Sequence, residues 1–95
     1  MKKILISDSV DSKAVSVLEQ AGFAVDYKPG LSAEDIKKVI GEYSGLVVRS
    51  ATKVTPELID LMENMEIIGR AGAGVDNINL PASTRKGIIV MNTPG

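Results

Sequence analysis

The chain has 95 residues, 44% of them apolar, and a formal net charge of −1. This length suits one small domain, and the near-zero charge gives no basis for binding nucleic acid or an anionic membrane. The sequence has no cysteine and no histidine, which excludes disulfides, thiolate or imidazole catalysis and the usual transition-metal ligands. The first apolar run, residues 4–6, is too short for a signal peptide or a membrane span, so we expect a cytoplasmic protein.

Strand-like and helix-like segments alternate along the whole chain. Apolar runs rich in β-branched residues predict strands, and apolar residues at helical spacing behind a capping side chain predict helices. The predicted elements are a strand at 4–6, a helix from Asp11 or Ser12 to Gly22, a strand near a sheet edge at 23–27, a helix from Ser32 to Tyr43, a strand at 46–48, a helix from Thr55 to Met65, a strand at 67–68, a helix at 81–86 and a strand at 88–91.

This alternation predicts an α/β fold. Strands joined by crossover helices form a parallel sheet, and right-handed crossovers place helices on both of its faces. We therefore predict a doubly wound, five-stranded parallel sheet in the flavodoxin-like order 2-1-3-4-5, with three α/β/α layers. Residues 1–95 would form a single flavodoxin-like half-domain.

The candidate site follows the third and fourth strands. In doubly wound sheets, ligands bind beyond the carboxyl ends of the strands. Arg49-Ser50 follow the third strand, while Arg70 follows the fourth and opens the turn Gly72-Ala73-Gly74. Arginine matches carboxylate or phosphate with a planar fork of donors, and glycines let backbone amides approach an anion closely. These residues predict a cradle for a small anion.

The same residues also fit structural roles that involve no ligand. Each arginine could be a solvated strand end that pairs with Asp8 or Glu66. A turn role suits Asp8 better than general-base catalysis, because nothing beside it would supply a partner nucleophile. Lys53 fits a solvated surface charge better than an anion contact. We therefore expect no catalytic residue and no metal site in this chain.

Three other ligand sites are excluded by residue type. A dinucleotide fingerprint needs a third glycine where Asn77 stands, and it follows the first strand of its unit. Response regulators resemble this topology but carry aspartate and lysine where this chain has Arg49 and Asn92. Flavodoxins need glycine in the loop after the first strand and aromatic residues around the flavin, and aromatic residues make up only 3% of the chain.

Four segments resemble the D-3-phosphoglycerate dehydrogenase family of the D-2-hydroxyacid dehydrogenases: residues 4–8, 48–55, 69–78 and 84–95. The family oxidises 3-phosphoglycerate with NAD to 3-phosphohydroxypyruvate, the first committed step of serine biosynthesis. The resemblance implies that Arg49, with Ser50 beside it, contacts the substrate phosphate and that Arg70 is a second substrate-side arginine. It also implies that the amides around Gly72, Ala73 and Gly74 hold the substrate carboxylate, with Ala73 bordering the nicotinamide.

The resemblance also implies what the chain lacks. In the family, a dinucleotide-binding domain follows and supplies NAD binding and the catalytic arginine, glutamate and histidine. We expect that domain to be absent, so the chain would be the N-terminal portion of a substrate-binding domain, without bound NAD and inactive alone. With no helix after the fifth strand, part of one sheet face would be uncovered, which predicts a homodimer through a swapped or shared face. Two alternatives are an excised or engineered inert scaffold and a stand-alone module that binds small anions.

Overall fold

A computed structural model describes residues 2–71 and 77–93. Within them, five parallel strands form one sheet in the order β2-β1-β3-β4-β5, which confirms the predicted fold class and strand order. No helix of this part of the chain has the length and apolar character to cross a lipid bilayer. In chain order the elements are β1 Lys3–Ile6, α1 Ser12–Gln20, β2 Ala24–Tyr27, α2 Ala33–Val39, a 3₁₀ turn Ile40–Glu42, β3 Gly45–Val48, α3 Pro56–Asp60, β4 Ile67–Ala71, α4 Leu80–Arg85 and β5 Ile89–Thr93.

The crossovers distribute the helices unevenly over the two sheet faces. The step from β1 to β2 runs in one direction along the sheet, and all later steps run in the other. Crossovers between parallel strands are right-handed as a rule, which places α1 on one face and α2, α3 and α4 on the other. In agreement, one buried cluster contains residues of α2, α3 and α4 and none of α1. We call these the one-helix face and the three-helix face.

The hydrophobic core lies under the three-helix face. Leu5, Leu46 and Ile68 are neighbours in register across β1, β3 and β4, and all three are fully buried. Side chains from the helices and from the segments beside them complete one buried cluster. Its other members are Ile36, Ile40, Tyr43, Val48, Val54, Leu58, Ile59, Met62, Met65, Ile78, Ala82 and Ile88.

A buried tyrosine ties the edge strand β2 to this core. The hydroxyl of Tyr43 donates to Asp26 Oδ2 at 2.5 Å, and Lys3 Nζ lies 5.2 Å from the centre of the Tyr43 ring. Lys3 in turn pairs with Glu42 at 2.7 Å. Burial, followed by the hydrogen bond to Asp26, raises the pKa of Tyr43 above its ordinary value. The phenol is therefore held in its protonated form.

The third helix is shorter than the sequence predicted. It begins as expected, with Thr55 as N-cap and Pro56 at the first helical position, but it ends at Asp60 instead of reaching Met65. The following amides bond three residues back rather than four, which tightens the last turn and leaves Leu61 44% exposed.

The second helix also ends early, since α2 gives way to a 3₁₀ turn that contains Gly41. Glycine favours the helix less than other non-proline residues do, and the Gly41 carbonyl accepts instead from Asn64 Nδ2 at 2.9 Å. Tyr43 therefore lies beyond the helix, although it is buried as expected.

The last two strands are longer at their carboxyl ends than predicted. Arg70 lies inside β4, and Asn92 lies beside it inside β5, so neither residue follows its strand. Regular pairing with β3 on one side and β5 on the other extends β4 through Gly69 to Ala71. The apolar pattern did not predict this extension, because the added residues are small or polar.

The one-helix face is partly open. α1 contributes no fully buried residue, and on β5 the side chains of Ile89 and Met91 are 61% and 48% exposed. Both residues alternate with Val90, which packs against the core on the other face. The expected uncovered sheet face is therefore present in the described part of the chain.

Candidate functional site

The candidate site lies at the edge formed by the carboxyl ends of β1, β3 and β4. Ser7 and Asp8 follow β1, Arg49 and Ser50 follow β3, and Arg70 lies near the end of β4, opposite Val48 in register. The sheet therefore places the two candidate arginines on neighbouring strands at the same edge. We call this edge the arginine rim.

Asp8 organises the loop that carries Arg49. Its side chain is buried, at 5% exposure, and Oδ2 accepts from the backbone amides of Arg49 at 2.6 Å and Thr52 at 3.0 Å. The Thr52 hydroxyl donates to Asp8 Oδ1 at 2.6 Å, so the Ser7 hydroxyl, 2.9 Å away, donates to Thr52. Asp8 thus has a structural role, although it organises the loop after β3 rather than its own turn.

Arg49 and Ser50 are both exposed on this loop. The Arg49 guanidinium donates through Nη1 to the Ser9 carbonyl at 3.2 Å. Within residues 2–71 and 77–93 it forms no ion pair, and Glu66 pairs with Lys2 instead, at 2.7 Å. Asp8 therefore bonds the Arg49 backbone and leaves the Arg49 charge to face solvent.

Asn77 joins Arg70 to the Arg49 loop. Arg70 is half-buried, and its Nε donates to Asn77 Oδ1 at 2.8 Å. Asn77 Nδ2 donates to the carbonyl of Arg49 at 2.5 Å and to that of Thr52 at 2.6 Å. The sequence analysis considered Asn77 only as the residue that breaks a glycine fingerprint, so this contact was missed.

The predicted glycine turn falls on residues that the structure does not describe. Gly72, Ala73 and Gly74 lie outside the described residues, between Ala71 and Asn77. The predicted amide cradle, and the predicted position of Ala73 beside a nicotinamide, therefore stay predictions.

Two cavities lie close to the rim without including its arginines. The first, of about 470 Å³, lies between the loop after β3 and helices α2 and α3, with Asp8 and Thr52 at one end and Leu31, Ile36 and Leu58 among its apolar lining. A more open cavity of about 500 Å³ extends from Lys53 towards α4. Neither of these two cavities is lined by Arg49, Ser50 or Arg70.

The described residues do not fit a dinucleotide. The loop from Ser7 to Val10, after β1, has no glycine that would let a pyrophosphate approach its amides, and α4, with six residues, is short. Within residues 2–71 and 77–93, no group of three acidic, histidine or cysteine side chains gathers to hold a metal ion. The chemistry that these residues offer is the binding of an anion by arginine.

Comparison with known proteins assigns the sequence to a recognised group. Residues 4–95 match the family model for the D-isomer specific 2-hydroxyacid dehydrogenase catalytic domain. The chain is 49% identical over 94 residues to the D-3-phosphoglycerate dehydrogenase of Homo sapiens, covering 99% of this chain. It is 42% identical over 93 residues, 98% of the chain, to the enzyme of the same name from Archaeoglobus fulgidus. The chain spans 18% of the length of each relative.

Solved structures share the fold. The PH0520 protein of Pyrococcus horikoshii superposes with a TM-score of 0.92 at 30% identity, over 100% of this chain and 28% of that one. The NAD⁺-bound 3-phosphoglycerate dehydrogenase of Entamoeba histolytica superposes with a TM-score of 0.86 at 36% identity, over 96% of this chain and 32% of that one. In each case the match covers less than a third of the larger protein.

Proposed function

Because the chain belongs to the D-isomer specific 2-hydroxyacid dehydrogenase family, we propose that it forms the N-terminal portion of the substrate-binding domain of an NAD-dependent D-3-phosphoglycerate dehydrogenase. The reaction is oxidation of 3-phosphoglycerate to 3-phosphohydroxypyruvate, which begins serine biosynthesis. Identity of 49% to enzymes of that name, over nearly the whole chain, supports this substrate above other 2-hydroxy acids.

The observation that carries the proposal is the pair of arginines on neighbouring strand ends, coupled through Asn77. The substrate carries a phosphate and a carboxylate, and guanidinium groups bind both through paired, charge-assisted hydrogen bonds. We assign the phosphate to exposed Arg49 with the hydroxyl of Ser50 beside it, and a second substrate contact to Arg70. We assign the carboxylate to the backbone of Gly72, Ala73 and Gly74.

The chain orients the substrate and leaves the chemistry to other parts of the enzyme. NAD, when bound to the whole enzyme, accepts the hydride, and Ala73 is the one residue of this chain that we assign to the border of the nicotinamide. The chain has no histidine to take the hydroxyl proton. We therefore assign it no catalytic residue and expect the 95 residues to be inactive by themselves.

The proposal includes location and assembly. We place the protein in the cytoplasm, where serine biosynthesis would supply and consume its metabolites. We also propose that the chain forms a homodimer through the open part of the one-helix face, since Ile89 and Met91 would lose exposed apolar surface there.

The test is an assay of the full-length gene product for NADH formation from 3-phosphoglycerate. Arg49→Ala should lower kcat/KM by about 100-fold, because a charge-assisted pair of hydrogen bonds contributes about 3 kcal/mol. Lys53→Ala, a charge removed from the same loop, should change it less than threefold. Equal activity of wild type and Arg49→Ala, or equal turnover of a hydroxy acid without phosphate, would contradict the assignment.

A further inference from the structure

We propose that Asn77 is a positioning residue that fixes the Arg70 guanidinium relative to the loop bearing Arg49. The inference rests on the proposed function, because Asn77 would set the spacing of the Arg49 and Arg70 guanidinium groups that bind the substrate. Asn77 itself does not touch the substrate in this proposal. It acts through the two arginines.

The hydrogen bonds of the Asn77 amide define its orientation. Its oxygen accepts from Arg70 Nε, which can only donate, at 2.8 Å. Its nitrogen donates its two protons to two carbonyls, which can only accept, at 2.5 and 2.6 Å. An amide turned by 180° would satisfy none of these partners. The chemistry of the three contacts therefore requires asparagine in this one orientation.

The Arg49 backbone is held on both sides by side chains from other parts of the fold. Its amide donates to the buried carboxylate of Asp8 at 2.6 Å, and its carbonyl accepts from Asn77 at 2.5 Å. The position of the Arg49 Cα is therefore fixed, and only its side chain stays adjustable. On the other strand, the bond to Asn77 Oδ1 sets the direction of the Arg70 Nε–H and so restricts the orientations open to the guanidinium.

The main chain at Asn77 is anchored independently of its side chain. Its carbonyl accepts from the Val54 amide at 2.7 Å, and the Asn79 amide donates to the Val54 carbonyl at 2.9 Å. Ile78, between them, is buried. Replacing the Asn77 side chain should therefore leave the path of the backbone in place and change only what the amide holds.

The matched control is Asn79, the same residue type two positions along. Its Oδ1 accepts from the Ala82 amide at 3.0 Å and caps α4, and neither arginine is among its hydrogen-bond partners in the described residues. Asn79→Ala should lower the melting temperature and leave substrate affinity unchanged. Asn77→Ala should weaken substrate affinity.

The experiment uses the full-length gene product and measures KM for 3-phosphoglycerate and for NAD, Kd for 3-phosphoglycerate by calorimetry, and the melting temperature. For Asn77→Ala, we expect KM and Kd for 3-phosphoglycerate to rise about tenfold while KM for NAD stays within twofold. Asn77→Asp keeps the volume and the acceptor for Arg70 but cannot donate to the two carbonyls. It should also raise KM, and it serves as the test if the alanine variant folds poorly.

A double-mutant comparison separates this inference from the proposed function. In an Arg70→Ala background, Asn77→Ala should raise KM by less than threefold further, because its effect passes partly through Arg70. A wild-type protein that does not oxidise 3-phosphoglycerate overturns the proposed function. An active wild type, impaired by Arg70→Ala but unchanged in KM by Asn77→Ala and Asn77→Asp, overturns only the role of Asn77. A lower melting temperature with no change in KM would also overturn only the role of Asn77.

Discussion

The two faces of the sheet differ in how completely they are covered. Under the three-helix face, Leu46 and Ile68 are fully buried within one cluster that links three helices to the central strands. On the one-helix face, Ile89 and Met91 remain largely exposed on the last strand. One parallel sheet thus combines a closed core with an apolar surface open to solvent.

The difference follows from the order of the strands. Only the step from β1 to β2 sends its helix to the one-helix face, so β4 and β5 receive no described helix there. We infer that the three-helix face carries most of the folding stability. The open face is then available for association, and the arginine rim lies between the two, at the carboxyl ends of the strands.

The largest expected effect compares isoleucines on the two faces. Ile68→Ala, at a fully buried site on β4, should lower the free energy of unfolding by about 3 kcal/mol, since it removes transfer energy and leaves a cavity. Ile89→Ala, at a site 61% exposed on the adjacent strand, should change the unfolding free energy of the monomer by less than about 0.5 kcal/mol. Urea unfolding of the three proteins measures both. Equal losses would show that the faces contribute alike.

The second-largest expected effect concerns the loop at the arginine rim that Asp8 holds in place. Asp8→Asn should lower the free energy of unfolding by about 2 kcal/mol, because an amide nitrogen would face donors that now meet a buried carboxylate. Asp60→Asn, at an exposed position, is the matched control and should have little effect. If both changes have the same small effect in urea unfolding, the carboxylate of Asp8 does not hold the loop.

Tyr43→Phe should lower the free energy of unfolding by about 1 kcal/mol at neutral pH, through loss of the bond to Asp26. The pKa of Tyr43 is raised in the fold, so its contribution is fully present below the unfolded tyrosine pKa of about 10 and is lost as pH rises towards the folded value. The difference between wild type and Tyr43→Phe should therefore shrink above about pH 10. Unfolding curves on both sides of that pH measure it, and a difference that grows with pH would refute the account.

Replacing the exposed apolar residues of β5 should have the smallest effect on stability and a large effect on association. Replacing Ile89 and Met91 together by serine should change the unfolding free energy of the monomer by less than about 0.5 kcal/mol and abolish association in sedimentation experiments. Val17→Ser, 63% exposed on α1, is the control and should leave association unchanged. A dimer that survives the double replacement would place the interface elsewhere.

The sequence predicted most of the fold because its signals are local. Capping side chains at Asp11, Ser32 and Thr55 marked helix starts that the structure confirms. The predicted end of α3, at Met65, was wrong. Met62 and Met65 are buried, but they lie in the segment after the helix. Apolar residues at helical spacing do not show whether a helix or a turn carries them.

The site was only partly predictable. Strand order alone brings Arg49 and Arg70 to one edge, so their neighbourhood could be inferred from the alternation of elements. The link through Asn77 could not be inferred from the sequence. Two of the three hydrogen-bond partners of Asn77 are backbone carbonyls. Every residue has a backbone carbonyl, so no sequence pattern marks the ones that are bound.

The central claim, that the arginine rim binds a small anion with a phosphate and a carboxylate, is tested most directly by adding 3-phosphoglycerate to the ¹⁵N-labelled chain and following its amide resonances. We expect saturable shifts at Arg49, Ser50 and Arg70 and at the Asn77 side-chain amide, with none at Ile89 or Met91. Shifts confined to the open sheet face, or no saturable shifts at the rim, would contradict the claim.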